Sequence, residues 1–595
     1  MAKTRNHIMI SLAVMLIMVG FFLWREHSTA GTFGFPLDDS WIHAQFAHNI
    51  VLGHGFSYNP GVPASGSTAP LWTWVSATGL LVTGDPVLGA KLLGVVFLGL
   101  SVCLIYMIVR TVTDDPREAL FASVIAATLP RLLWASVSGM EVTLAVALTL
   151  SGVLTHILYS SSDDRRQYLS TVLFGLATLA RPECAVFFVA AMIDRALVAT
   201  LIRWREMAAR EWLVPVVIHV AVLMLVLAPS LLFSRRFGIG FLPNTAYAKA
   251  LLWGRGLISA FITSSPKELA RSLTVHPFDY YLSFLQESLR NNPVLFAVVP
   301  FGFLRLLLST PYKRGTRYQS FMLPLAVVLF PLAIGIVVPF GTASYQEGRY
   351  TAPVVPLMLI IGTMGLYAAA SYGARLFSEA KYMGRPAKVV LERTLIWFLM
   401  AMTLLAQGRN VWHRSQVYGR EVANIEQMQV STGKWLDQNV PPDAVIATND
   451  VGAIAYFSRR RVLDTVGLIS PEVLEYRRGG QSADEAMYSL LDAERPDYAV
   501  VFPTWYPRSV KKDVFEPIHR VVLRDNIVAG GDELVVYELR WERQAEHDPA
   551  SRRQAEGGRD GPAEGEPGAR DRPAEGEPGA RARPADRDEG GEGSG

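Results

Sequence analysis

The chain has 595 residues, of which 50% are hydrophobic and only 18% charged, with a mean hydropathy of +0.24. Soluble chains average about 25% charged residues, so this composition excludes an ordinary soluble multidomain protein. A net charge of +3 gives no argument for nucleic acid, and two cysteines, Cys103 and Cys184, exclude a disulfide framework or a Cys-rich zinc module.

Eleven apolar segments precede residue 410, near 7–24, 86–110, 117–136, 138–160, 167–180, 182–193, 211–233, 293–309, 319–340, 350–373 and 391–408. Most approach the ~20 residues that a helix needs to cross a bilayer. The pair at 167–193 is short and is broken at Arg181-Pro182, which predicts two short helices that return the chain to the side it left. Lys3 and Arg5 before the first run, with Ser28-Thr29-Ala30 after it, also fit a cleaved secretory signal. An apolar run of that length favours an uncleaved span, and both readings put residue 31 on the same side.

Charge sets the expected orientation. Alternate loops carry Lys3/Arg5, Arg110/Arg117, Arg165/Arg166, Arg195/Arg203/Arg205/Arg210, Lys313/Arg314/Arg317 and Arg375/Lys381/Arg385/Lys388. The opposite short loops carry little beyond Arg25, Arg131, Arg181 and Arg349. The positive-inside rule puts the first set, and the N-terminus, in the cytoplasm. Residues 25–85, 234–292, 341–349 and everything after 408 then face outward.

The expected organisation is a membrane domain over 1–408, an extracytoplasmic α/β domain over 409–540 and a disordered tail over 541–595. In the second part, 420–438 and 483–494 read as helices, and 444–448, 497–502 and 533–539 as strands. Asn449-Asp450-Val451-Gly452 reads as a strand-ending turn. The tail holds 14 acids and 9 basic residues, repeats PAEGEPGAR at 562–570 and 573–581, and has no Val, Ile, Leu, Met, Phe or Tyr to build a core. Its charge of −5 leaves +8 for the rest of the chain.

The outward loops hold the polar chemistry. Asp38 and Asp39 stand side by side after the first span; like charges there raise one pKa, which suits a general base, and the same pair could start a helix. Around them lie Trp41, His43, His48, His54, Tyr58 and Asn59, a mixture suited to sugar stacking or to an interfacial belt. The three histidines lack zinc-site spacing. Glu141 opens the fourth span, where an acid is costly unless paired or functional. Arg181 and Glu183 are close enough to pair with each other. Asn244, Lys249, Arg349 and Tyr350 lie at other helix mouths, where a cation suits a lipid phosphate.

LDDSWIHAQFAHNIVLGHGFSYNPGVPASGSTAPLW (37–72) closely resembles the first outer loop of bacterial members of the GT-C superfamily of polytopic glycosyltransferases. SGMEVTLAVAL (138–148), LATLARPE (176–183), LPNTAYAK (242–249) and EGRYTAPVVPL (347–357) resemble later signatures in family order, of the family 39 and aminoarabinose-transferase kind. GKWLDQNVPPDAVIATNDVGAIAYF (433–457) resembles the domain that follows in many members. The resemblance implies an all-α polytopic membrane fold of about eleven helices carrying a small α/β domain. It implies transfer of a sugar from a polyprenyl-phosphate carrier to a hydroxyl acceptor (an envelope glycan, glycolipid or protein), typically with inversion, at the outer face of the bacterial cytoplasmic membrane. By the same resemblance Asp38 or Asp39 matches the base, Glu141 an orienting acid, and Arg349 the cation facing the carrier phosphate, with Lys249 a weaker match for that cation. A divalent ion near Asp38/Asp39 is left open, because adjacent acids are not the spaced DxD of nucleotide-sugar enzymes. A flippase of lipid-linked sugars and a non-catalytic glycan receptor are the competing classes; no inverted repeat supports the first, and the number of apolar segments is excessive for the second.

Overall fold

The computed structural model describes residues 2–160, 165–201, 209–309, 320–380 and 385–542. The cationic stretches 202–208 and 310–319, residues 381–384 and the charged tail from 543 lie outside these. Residues 1–541 form one compact unit.

Each apolar segment falls on a helix. Among the described residues six helices are long and apolar enough to cross a membrane: Lys3–Ala30, Pro86–Thr113, Val142–Tyr159, Leu213–Phe237, Val355–Phe377 and the run that begins at Pro386. Pro293–Leu308 and Met322–Val337 are shorter. The fold is therefore a multi-pass membrane bundle. The span expected over 117–136 is instead two helices, Pro116–Ala127 and Pro130–Val137, bent by 54°. Pro130 has no N–H to continue the first helix, so a new one starts there. The pair expected at 167–193 is Leu169–Ala180 and Ala185–Leu201, broken at Arg181-Pro182.

The expected domain border at 408 falls inside one continuous helix, Arg385–Ile425. That helix carries the chain out of the bundle and, after a π turn at Glu426–Val430, continues as Ser431–Asn439. The α/β part has five strands in the order 461–464, 445–448, 498–501, 533–539, 515–522, with the first three parallel and the last two added antiparallel. Successive strand residues point to opposite faces. Val501 and Val535 pack with Met487 and Leu490 of the helix Ala483–Glu494, while Val500 and Val536 pack with Leu436 and Ile454 on the other side. Strands 461–464 and 515–522 were not expected; most of 515–522 is at least partly exposed, and it lacks an apolar run.

One buried ion pair ties the bundle together. Lys91 Nζ lies 2.5 and 2.6 Å from the two Glu26 oxygens and 2.9 Å from the Tyr418 hydroxyl, joining three helices far apart in sequence. Gly34 N–H donates to Glu26 and the Tyr418 hydroxyl to the Val137 carbonyl. The segments 25–85, 138–141, 181–183, 244–253 and 340–350, all expected on the outer side, meet at one end of the bundle with the α/β part.

Candidate active site

These segments enclose a cavity of about 150 Å³. Asp39 enters it from the first turn of the helix Asp38–Val51, where a carboxylate also faces free amide groups. Its Oδ2 is 2.5 Å from Arg349 Nη2. Burial works to raise the Asp39 pKa, but Arg349 and then Lys249 outweigh it and hold the carboxyl below the usual carboxylate range. Asp39 is thus ionised and partly open to the cavity, with its side chain 31% exposed.

Arg349 is delivered by an unusual turn. Gln346, Glu347 and Gly348 have φ of 45°, 59° and 71°, a left-handed run that costs non-glycine residues energy and persists only where neighbours fix it. Those neighbours are visible. Glu347 pairs with Arg414, and Arg414 donates to Glu287 at 3.0 Å. Arg131 donates to Thr351 at 2.7 Å and to Glu287 at 3.3 Å. A Cβ at Gly348 would sit 2.5 Å from the Arg131 guanidinium, so only glycine fits.

A second ion pair lies across the cavity. Arg181 donates to Glu141 and, from Nε at 2.6 Å, to Glu183. Burial opposes ionisation of Glu141, but Arg181 and then His43 prevail and pull its pKa to about 2. His43 stands 3.5 Å from Glu141 and 3.3 Å from the Thr73 hydroxyl. The Tyr350 ring lies against both guanidiniums, 4.7 Å from Arg181 and 5.2 Å from Arg349. Lys249 lines the cavity without a hydrogen bond to any described residue, and Arg349 Nε and Glu141 Oε2 are buried without hydrogen-bond partners. The site holds three cations and three carboxylates, with donors left over for an incoming anion.

Among the expected residues, Asp39, His43, Glu141, Lys249, Arg349 and Tyr350 line this cavity. Others do not. Asp38 is one helical step of about 100° from Asp39 and points the other way. Its oxygens accept from Gly452 N–H and Ala453 N–H at 2.7 Å each. It caps a helix of the α/β part and not its own, whose N-cap is Leu37. Its pKa is raised, chiefly by burial and then by Asp450, so its adjacency to Asp39 is a minor cause. Trp41 is 2% exposed and packs between Phe35, Tyr456 and Phe457. Tyr58 is buried and donates to the Val451 carbonyl. Asn244 is buried and accepts from Ile239 N–H, while His54 is exposed on a turn outside the cavity. A large aromatic in a polar loop looks like a sugar platform, but here these rings dock the α/β part.

Arg181 was expected to pair with Glu183 alone; it does so and also joins the cavity through Glu141, forty positions away. Ser67 and Thr68, inside a recognised motif yet without an assigned role, line the cavity, as does Leu468 of the α/β part. Asp38 and Asp39 diverge and offer no shared donor set for a metal ion. Among the described residues, no group of three or more His, Cys, Asp or Glu side chains is arranged to hold one.

Residues 67–233 match a protein family described as Dolichyl-phosphate-mannose-protein mannosyltransferase, and residues 420–554 match a domain family of unknown function, DUF8728. No curated protein matches the chain in sequence. The crystal structure of ArnT from Cupriavidus metallidurans bound to undecaprenyl phosphate is similar at a TM-score of 0.51 and 14% identity, covering 88% of this chain and 97% of that one. The oligosaccharyltransferase of Archaeoglobus fulgidus in the apo form is similar at 0.53 and 13%, covering 88% of this chain and 74% of that one. Its form tethered with an acceptor peptide aligns at 0.52 and 14%, covering 82% of this chain and 68% of that one. Shared architecture over most of the chain, together with the matched segment 67–233, identifies the fold as that of the GT-C superfamily, as the order of the sequence motifs implied.

Proposed function

We propose that the chain is a membrane glycosyltransferase that moves a sugar from a polyprenyl-phosphate carrier to a hydroxyl acceptor at this cavity. The observation that carries the reading is the Asp39–Arg349 pair, an ionised carboxylate and a buried guanidinium with an unpartnered Nε at one cavity wall. Two neighbours in fold add support: one was solved with undecaprenyl phosphate, the other with a tethered acceptor peptide.

The acceptor hydroxyl gives its proton to the Asp39 carboxylate as its oxygen attacks the anomeric carbon. The bond from that carbon to the phosphate oxygen breaks, and its electron pair stays on the carrier phosphate. Arg349 and Lys249 face the growing negative charge in a poorly hydrated site, where fixed cations are worth several kcal/mol or roughly 10²–10³ in rate. A single displacement inverts the anomeric centre. Arg181 is held by Glu141 and Glu183, so its part is to fix Glu141 and the Tyr350 ring in place. His43, between Glu141 and Thr73, orients the acceptor side.

In the unloaded site Arg349 suppresses the basicity of Asp39. A carrier phosphate competes for the same guanidinium, and each bond it takes from Arg349 returns basicity to Asp39. The test is mass spectrometry of lipid-linked glycans in cells lacking the protein, complemented with wild type or Asp39→Asn. Accumulated polyprenyl-phosphate sugar, cleared by wild type and not by Asp39→Asn, is the expected result. Clearance by both removes the base and this reading with it.

A further inference from the structure

Asp38 is a half-buried acid that the transfer chemistry does not use. It is clamped to the backbone of a segment more than four hundred residues later, through both oxygens. The approach is close enough that a Cβ on Gly452 would lie 2.1 Å from the Asp38 carbonyl oxygen and 2.7 Å from its carboxyl carbon. The clamp is one of several links between the first outer loop and the α/β part, beside the packing of Trp41 on Tyr456 and Phe457. Tyr58 donates to the Val451 carbonyl, one residue before the clamp. The Asn59 side chain both accepts from Val462 N–H and donates to the Val462 carbonyl, at 2.9 Å each. Gly66 packs against the Leu468 carbonyl, and Leu468 lines the cavity.

The start of the helix Asp38–Val51 packs through Trp41 against Phe35, Tyr456 and Phe457, but few polar contacts fix the direction of its first turn. Its N-cap, Leu37, has no side-chain oxygen to satisfy the first amide groups. Among the described residues the side-chain hydrogen bond of Asp39 is to Arg349, the group that has to turn toward the carrier phosphate. Once Arg349 is shared with phosphate, the polar anchors described on this turn are the Asp38 carboxylate and Ser40, which donates to the Ser138 carbonyl, beside the packing of Trp41.

We propose that Asp38 is a positioning residue for the transfer: by clamping the Gly452 and Ala453 amides it makes the α/β part a structural support for the turn that aims Asp39 at the acceptor. The proposal rests on Asp39 being the base. It gives the α/β part a role at the reaction centre. Misplacing a reacting group by about 1 Å costs about 10²-fold in rate, and a loosened first turn displaces Asp39 on that scale.

The test uses the full-length protein in nanodiscs, with the lipid-linked sugar that accumulates in cells lacking it as donor. Turnover is measured as release of polyprenyl phosphate, and carrier binding is measured separately with undecaprenyl phosphate. Asp38→Asn and Gly452→Ala are each expected to lower turnover roughly 10–100-fold, with undecaprenyl phosphate affinity unchanged and the protein folded at the assay temperature. The double variant is expected to lose no more than the worse single one, because both break the same clamp. Full turnover in both single variants overturns the proposal, and so does a loss of turnover matched by losses of binding and melting midpoint in both. Should Asp38→Asn alone fail to fold, Gly452→Ala decides, since it changes no charge. Asp39→Asn runs alongside: if it is active, the base assignment fails; if it is dead while both clamp variants are fully active, only the positioning role falls.

Discussion

Two of the buried charge clusters among the described residues are built differently. In the first, Glu26, Lys91 and Tyr418 are sealed: the Glu26 side chain is 0% exposed, and the Lys91 ammonium has three oxygen partners within 2.9 Å. In the second, around Asp39, Arg349, Glu141 and Arg181, the charges also pair, yet among the described residues Arg349 Nε and the Lys249 ammonium have no hydrogen-bond partner, and Glu141 Oε2 has only His43 at 3.5 Å, beside a cavity. Both clusters bear the desolvation cost of buried ions. The first has used its hydrogen-bonding capacity on itself and can only hold helices together. The second keeps capacity in reserve, which is what a ligand requires. Completeness of satisfaction, more than charge or burial, separates a structural ion pair from a candidate site.

This contrast can be broken experimentally, and the largest effect belongs to the open cluster. Asp39→Asn is expected to lower transfer by about 10²–10⁴-fold, the usual contribution of a general base, with the melting midpoint retained. In the sealed cluster, Lys91→Met leaves Glu26 buried and unpaired and is expected to cost about 3–5 kcal/mol of stability. Adding Glu26→Leu is expected to restore most of that, with transfer intact, since the pair has no chemical duty; denaturation midpoints and the transfer assay check both. A double replacement that kills transfer in a folded protein would erase the distinction between the clusters.

Arg349→Gln is expected to weaken donor use by roughly 10²-fold and to change the pH profile. With the cation gone, burial raises the Asp39 pKa, so the base becomes protonated, and inactive, at a higher pH than in the wild type. The acid limb of kcat/KM moves upward in the variant; an unmoved limb would detach Arg349 from Asp39. Lys249→Ala has the smallest expected effect, about tenfold on donor affinity, because Arg349 remains in the cavity as a second cation for the phosphate.

Much of the site was legible in the sequence because its residues sit at predicted helix mouths on one side of the bundle. Asp39, Glu141, Lys249, Arg349 and Tyr350 were found that way, and the cavity brings all five together. What was hidden depends on direction and on distance along the chain. Adjacent residues on a helix diverge by about 100°, so Asp38 and Asp39 look equivalent in sequence and serve different partners in space. Arg181 carries a local partner, Glu183, that fully explains it until Glu141 appears at its other side. Trp41 and Tyr58 have the composition of a carbohydrate platform, and only the position of Val451, Tyr456 and Phe457 shows what they bind. The fold was clearer than its borders. Proline at 130 was visible, but the 54° bend that it starts was not, and the helix 385–425 runs through the composition change at 408 because backbone hydrogen bonding ignores it.

The contact between Asp38 and Gly452 joins positions 414 residues apart. Ribosomes add about 5–20 residues per second, so the second partner is made roughly 20–80 s after the first. Through that interval the early loop, with Asp39 and its aromatic neighbours, exists without the segment that grips it. A chain truncated anywhere before residue 452 therefore lacks the clamp whatever else it has folded. The order of synthesis thus leaves the first-made loop without this grip until the last-made fifth of the described chain exists.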